Sequence, residues 1–101
     1  MAKTPIHPGE ILADELAELE MSARALAKAL HVPSNRISQI LSGKRGISAD
    51  TALRLSRFFG TSVEFWLNLQ RLYELDRIDD KTRDEIATKI TPYKESAATV
   101  A

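Results

Sequence analysis

Cysteine is absent from this chain of 101 residues, and its only two histidines, His7 and His31, do not have the spacing of metal ligands. Without thiols the chain can form no disulfide, no cysteine zinc site and no thiol nucleophile. There is also no Gly-rich phosphate loop and no apolar run long enough for a membrane span or a signal peptide. We therefore expect a cytoplasmic protein that is not an enzyme and binds no metal, cofactor or small-molecule ligand.

An excess of charge of either sign is also missing, since 14 basic residues balance 14 acidic residues. The balance hides an uneven distribution along the chain. Residues 22–57 hold seven basic residues and only one acidic residue, Asp50, whereas residues 9–21 hold five acidic residues and no basic one. Positive charge is thus concentrated in one segment, where it would neutralise phosphates of a nucleic acid.

Helix start and stop signals predict an all-α fold of five helices and a thinner sixth, with no strand. The predicted helices cover about 8–20, 22–31, 33–42, 48–60, 63–77 and 79–91. Their polar N-caps are Ser22, Ser48, Ser62 and Asp79. Gly60 is predicted to end the fourth helix in a left-handed conformation.

Residues 23–42, ARALAKALHVPSNRISQILS, have the pattern of a helix-turn-helix motif. Ala27 is small enough to let the two helices approach closely. The apolar residues that such a motif packs inside are Leu26, Leu30, Val32, Ile37 and Ile40. Polar side chains remain on the outer face of the second helix, which in this motif lies in the DNA major groove.

Four polar residues of that second helix are predicted to read bases: Ser34, Asn35, Arg36 and Gln39. The first, second and sixth positions of the helix face base edges, and the arginine lies next to them on the rim. Asn and Gln side chains can pair bidentately with adenine, each discriminating by about 1–3 kcal/mol. For Ser34 and Asn35 the structural alternative is simple helix capping.

Five further residues are predicted to contact phosphates, which fixes register without reading sequence. They lie at the amide end of the second helix, on the outer face of the third and in the basic loop after it: Ser22, Ala23, Ser38, Lys44 and Arg45. For the two basic loop residues the alternative is a solvated loop with no ligand.

Two departures from the usual motif affect the turn and the entrance to the third helix. His31 occupies a turn position often filled by glycine, and it tolerates a positive φ less freely than glycine does. Pro33 removes one backbone amide at the start of the next helix. The operator sequence is therefore not predictable from these residues.

The fifth helix carries more apolar residues than one buried face needs. Eight of the thirteen residues from Val63 to Leu75 are large and apolar. The surplus predicts a second apolar surface and hence a homodimer. The residues assigned to that surface are Phe65, Trp66, Leu69, Leu72 and Tyr73. The alternative is that Phe65 and Trp66 only close the core of the monomer.

Three motifs give the chain a family resemblance: HPGEIL at 7–12, GKRGISADTALRL at 43–55 and FWLNLQ at 65–70. Together with the helix order they resemble the lambda-repressor-like (Cro/C1-type, XRE) domain, and within it the HigA (VapI) antitoxins. The resemblance implies an antitoxin that represses its own operon and neutralises a HigB-type toxin, a small ribosome-dependent mRNA endonuclease.

On this interpretation residues 1–7 form an N-terminal arm and 8–78 the DNA-binding domain with its dimerising fifth helix. Residues 79–93 form a C-terminal helix and 94–101 a flexible tail. The acidic side chains of Glu10, Asp14 and Glu18 align on one helix face and could receive a basic toxin, unless they only solvate the fold. Two rival functions remain: a solitary phage- or plasmid-type repressor and a protein-binding adaptor that no longer touches DNA.

Overall fold

The computed structural model describes residues 4–93, which contain six α-helices and no strand. The helices are α1 (Pro8–Leu19), α2 (Ala23–Leu30), α3 (Ser34–Leu41), α4 (Ala49–Phe59), α5 (Val63–Asp76) and α6 (Asp80–Lys89). The all-α prediction is confirmed, and the predicted helix ends lie close to the observed ones. The predicted flexible tail at 94–101 lies outside the described residues.

The helix ends follow from local side-chain chemistry. The four predicted N-caps, at Ser22, Ser48, Ser62 and Asp79, each accept a hydrogen bond from a backbone N–H of the following helix. His31 ends α2 at φ 59°, and Gly60 ends α4 at φ 76°. His31 therefore adopts the left-handed turn conformation despite its side chain.

The core lies between α1, α2, α3, α4 and the first half of α5. Its buried apolar residues are Leu12, Leu16, Leu26, Ala27, Leu30, Ile37, Ile40, Ile47, Ala52, Leu55 and Trp66. Four of the five apolar residues predicted to pack inside the helix-turn-helix are among them, and Val32 packs against the cluster. The helix-turn-helix is thus fixed by apolar contacts on its inner side.

Trp66 corrects one part of the predicted dimer surface. Its side chain has no exposed area, its ring lies 5.8 Å from that of Phe59, and its indole N–H donates to the Thr61 hydroxyl at 2.8 Å. Because the Trp66 side chain is fully buried in the core of its own chain, it has no exposed surface with which to contact a second copy. The alternative that this residue closes the monomer core is the one that the structure supports.

The start of α1 packs directly on the end of α3. His7 and Glu10 form a capping box, in which the His7 ring accepts from the Gly9 N–H at 2.8 Å and the Glu10 carboxylate accepts from the His7 N–H at 3.1 Å. A Cβ at Gly9 would lie only 2.0 Å from the carbonyl oxygen of Ile40. The glycine therefore permits the contact between α1 and the predicted DNA-reading helix.

Helix α6 has no buried residue and is joined to the rest mainly at its first turn. There the Arg83 guanidinium donates to the carbonyl of Leu75, in the last turn of α5, and to that of Ile78, in the segment that joins α5 to α6. The apolar side chains of this region remain exposed, with Leu72 57%, Ile86 49% and Ile90 64% accessible. The C-terminal part of the fold therefore presents apolar side chains that the other residues of 4–93 do not cover.

Candidate nucleic-acid interface

The outer face of α3 presents the predicted base-reading side chains at its N-terminal end. Ser34 and Asn35 are exposed, and Arg36 and Gln39 are half-buried. The N-cap of the helix is Pro33, whose side chain makes no capping bond. Capping therefore does not account for Ser34 or Asn35, and both side chains face solvent at the end of the helix that would enter a groove.

Gln39 is oriented by a residue of the following loop. The Arg45 Nε donates to Gln39 Oε1 at 3.1 Å, and the Gln39 backbone carbonyl accepts from the N–H groups of Lys44 and Arg45 at 2.9 and 3.2 Å. The amide NH2 of Gln39 remains available as a donor beside the Arg45 guanidinium. A predicted base-reading residue and a predicted phosphate-binding residue thus form one unit.

Arg36 is held by an ion pair that bridges three helices. Its guanidinium lies 2.6 Å from the Asp50 carboxylate on α4, and the same carboxylate accepts from Arg54 Nε at 2.9 Å. Arg54 also donates to the carbonyl of Leu30 at the end of α2, at 2.8 Å. Hydrogen bonds from Arg54 and from Arg36 hold the pKa of Asp50 below its ordinary value, so the carboxylate stays charged.

The basic loop between α3 and α4 is fixed at both ends. The loop begins at Gly43, which adopts φ 81°. The N–H groups of the following Lys44 and Arg45 donate to the carbonyl of Gln39. At the far end the Ile47 N–H donates to the side chain of Gln70 at 2.8 Å. Lys44 and Arg45 between these points are exposed. A loop held in this way presents its charges in a defined position.

The other predicted phosphate contacts lie at helix starts and on the outer face. The Ser22 hydroxyl accepts from the Ala25 N–H at 3.0 Å, and Ala23 opens α2, so this end offers the free amides of a first turn. Ser38 is exposed, and its hydroxyl donates to the Asn35 carbonyl at 3.3 Å. These positions suit an anion that approaches from solvent.

The remaining residues predicted for the dimer surface differ in exposure. Phe65 and Leu72 are exposed, whereas Leu69 is half-buried against the core. Tyr73 is half-buried as well, with its ring 4.8 Å from that of His7 and the Arg77 guanidinium above it at 5.4 Å. Of the five residues predicted for the dimer surface, only Phe65 and Leu72 therefore have exposed side chains.

Within residues 4–93 no group of His, Cys, Asp and Glu side chains could hold a metal ion. No helix of that part of the chain is both long and apolar enough to cross a membrane. What the described residues do present is a polar and basic surface on α3 and the loop that follows it.

Comparison with known proteins decides the family. The helix-turn-helix family model HTH_3 matches residues 12–66, which is more than half of the chain. The solved structure of an addiction module antidote protein of the HigA family from Coxiella burnetii is 55% identical, with a TM-score of 0.85, over 90% of this chain and 100% of that one. The chain belongs to the HigA family of helix-turn-helix antitoxins. The resemblance predicted from three sequence motifs is confirmed.

Other relatives are similar over most of the chain. The Pseudomonas aeruginosa antitoxin HigA, solved with the higBA promoter, is 48% identical with a TM-score of 0.81, over 88% of this chain and 98% of that one. Virulence-associated protein I of Dichelobacter nodosus is 58% identical over 71 residues, 69% of this chain and 66% of the relative. Antitoxin HigA-1 of Vibrio cholerae is 34% identical over 74 residues, 72% and 70% of the two chains.

Two residues of this HigA-family interface had no assigned role in the sequence prediction. Asp50 stood out only as the single acid of a basic segment, and Gln70 only as the last letter of a family motif. Arg36 lies 14 residues from Asp50 in the chain, and Ile47 lies 23 residues from Gln70. Sequence spacing alone carries no signal for such contacts.

Proposed function

We propose that this HigA-family protein represses transcription by binding an inverted-repeat operator as a dimer, with α3 in the major groove. The observation that carries the proposal is the exposed polar end of α3, with Gln39 and Arg45 held together beside it. Support comes from relatives: the P. aeruginosa HigA was solved with a promoter, and the antitoxin GraA in complex with its operator. Ser34, Asn35, Arg36 and Gln39 read bases in this proposal.

Substitutions on α3 and in the loop separate base reading from phosphate binding. Gln39→Ala should lower affinity for the operator more than affinity for random DNA, because it removes a base contact worth about 1–3 kcal/mol. Lys44→Ala should weaken both affinities about equally. Fluorescence anisotropy with operator and scrambled duplexes measures the two ratios. Equal weakening by Gln39→Ala would remove that residue from the reading set.

Salt dependence tests DNA binding itself. If six to ten phosphates are contacted, affinity should fall by about 10³–10⁵ between 50 and 200 mM salt. A protein-binding adaptor would show no such loss, since it would have no specific affinity for the duplex. The titration uses the wild-type protein and the upstream region of its own gene, and a flat response would refute the repressor proposal.

The dimer is proposed to form through the uncovered apolar surface of α5 and α6. Phe65 and Leu72 contribute from α5 and Ile86 and Ile90 from α6, which has no buried residue within the described part of the chain. Large apolar side chains left exposed in such number favour a protein interface. Two copies related by a twofold axis would set their α3 helices about 34 Å apart, one turn of DNA.

Leu72→Glu tests this interface, and Leu53→Glu on α4 is the matched control. The two leucines are 57% and 59% exposed, so the charge is added to equally accessible positions. We expect Leu72→Glu to sediment as a monomer at tens of micromolar and to lose operator affinity, while Leu53→Glu stays dimeric. A wild-type protein that sediments as a monomer at operator-binding concentrations would contradict the proposal.

We propose that the protein also acts in the cytoplasm as an antitoxin. Its target in this proposal is a HigB-type mRNA endonuclease encoded by the neighbouring gene. The acidic face of α1 offers a surface for a basic, RNA-binding toxin, since Glu10, Asp14 and Glu18 are all exposed there. The Glu10 carboxylate also accepts from the His7 N–H in the capping box of α1. Asp14 and Glu18 take no part in that cap, so they are the two residues to substitute. Support for the role is the family of antitoxins to which the chain belongs.

Co-expression tests this role. The wild-type protein should relieve the growth arrest caused by the neighbouring gene product, and purification should recover the two together. Asp14→Lys with Glu18→Lys should abolish relief but keep operator binding, whereas Asp80→Lys with Asp84→Lys, the same charge change on α6, should keep both. If the product of the neighbouring gene is neither toxic nor bound by this protein, the protein is a solitary repressor and the antitoxin proposal is wrong.

A further inference from the structure

One glutamine on α5 makes a contact that leads to the predicted DNA-reading surface. Gln70 is half-buried, and its Oε1 accepts from the backbone N–H of Ile47 at 2.8 Å. Its Nε2 donates to the Glu74 carboxylate, one helical turn further on, at 2.8 Å. Both ends of the amide are therefore used, and Glu74 selects the orientation in which the oxygen faces Ile47.

The backbone of the basic loop rests on this amide. A Cβ at Gly46 would lie 2.6 Å from Gln70 Oε1 and 2.7 Å from its Nε2, so a side chain at position 46 would displace the Gln70 amide from the loop. Ile47 itself is buried in the core at 4% exposure. The end of the loop is thus fixed in position by the side chain of α5 and by the core together.

The other end of the loop leads to the base-reading residue. The Gln39 carbonyl accepts from the N–H groups of Lys44 and Arg45, and Arg45 Nε donates to Gln39 Oε1 at 3.1 Å. A continuous set of hydrogen bonds and a short stretch of backbone therefore connects Glu74, Gln70, the loop and the side chain of Gln39. The position of the Arg45 side chain, which orients Gln39, therefore depends on how the loop is held at both of its ends.

We infer that Gln70 is a positioning residue for DNA recognition: it sets the basic loop so that Arg45 and Gln39 meet the DNA as one unit. The inference rests on the proposed operator binding. It also assigns Arg45 a part in base specificity, because its guanidinium fixes which way the Gln39 amide faces, whereas a residue that only binds phosphate would leave specificity unchanged.

An exchange of side chains between positions 70 and 74 tests the inference. Gln70→Glu keeps an acceptor for Ile47 but loses the donor to Glu74 and places two carboxylates one helical turn apart, which repel. Glu74→Gln keeps an amide oxygen that accepts from Gln70. The double variant Gln70→Glu with Glu74→Gln keeps the acceptor at 70 and supplies a donor at 74, so the hydrogen bond between the two side chains is restored with the net charge of the wild type.

We expect Gln70→Glu to lower operator affinity about tenfold, the size of one ordinary base contact, and to reduce the preference for operator over scrambled DNA. Glu74→Gln should bind like the wild type, and the double variant should regain both affinity and preference. Asn68→Asp is the charge control, since it adds a carboxylate at an exposed position of the same helix. Asn68→Asp should change operator affinity less than threefold, because salt screens the added charge.

Thermal melting and amide exchange keep the test independent of folding. In each folded variant the exchange rate of the Ile47 amide reports whether its acceptor is present: it should rise in Gln70→Leu, which removes the acceptor, and stay near the wild-type rate in the double variant, which keeps one. A folded Gln70→Leu or Gln70→Glu with wild-type affinity and preference would overturn the inference, as would a double variant no better than Gln70→Glu. A wild-type protein that does not bind the operator would instead refute the proposed function.

Discussion

Replacing Gly9 by alanine tests how closely α1 and the predicted reading helix are packed. The added Cβ would lie 2.0 Å from the Ile40 carbonyl oxygen and 2.9 Å from its carbon, whereas ordinary contacts begin at 3.4 Å. Both obstructing atoms belong to the backbone of α3, so no side-chain rotation relieves the overlap. One of the two helices must move.

The expected loss of stability follows from two opposing terms. Overpacking costs about 1–3 kcal/mol, and an obstacle made of backbone places this site near 3. Alanine recovers at most about 1 kcal/mol over glycine through its higher helix propensity. The net destabilisation is about 2 kcal/mol, which lowers the Tm of a domain of this size by about 8–16 °C.

Thermal unfolding followed by circular dichroism measures this loss, with Gly43→Ala as the matched control. Gly43 has no atom within 4 Å of its added Cβ, but it adopts φ 81°. Its substitution therefore carries only conformational strain, about 1 kcal/mol. A Gly9→Ala variant that melts within about 2 °C of the wild type, or above Gly43→Ala, would refute the close-packing argument.

Two further predictions concern α4. Arg54 and Arg36 lower the pKa of Asp50, so its charge stabilises the fold above the unfolded pKa near 3.9 and stops doing so as pH falls through the lower folded value. Asp50→Asn should thus lower Tm at pH 7, and the difference from the wild type should shrink in melts as pH falls below about 3.9 and through the lower folded pKa; a constant difference would contradict this. Ser48→Ala removes the acceptor of the Thr51 N–H, which should cost about 1 kcal/mol and 4–8 °C in Tm at low and high salt alike.

The sequence predicted the helices well because their ends depend on nearby residues. Each of Ser22, Ser48, Ser62 and Asp79 caps through an N–H only three residues away. The helix-turn-helix was equally visible, since its apolar positions repeat with the helical period. Local chemistry and periodicity therefore account for the fold class and for the face that α3 presents.

Contacts between distant residues were beyond the sequence. The amide of Gln70 and the carboxylate of Asp50 act across different helices, and only the packed core brings their partners within reach. Trp66 shows the related error for apolar residues, because hydrophobicity does not tell a core side chain from an interface one. Burial against Phe59, which decides the matter, is a property of the assembled helices.

The carboxylate of Asp50 also affects the number of cations that DNA should release when this protein binds it. A cationic side chain displaces condensed cations from DNA in proportion to its uncompensated charge, and that release sets the slope of affinity against salt. Arg36 and Arg54 share one anion that is already in place, so together they bring about one net charge rather than two. In the proposed operator complex we therefore expect Arg36 to contribute less to the salt dependence of affinity than an arginine without an ion-pair partner would.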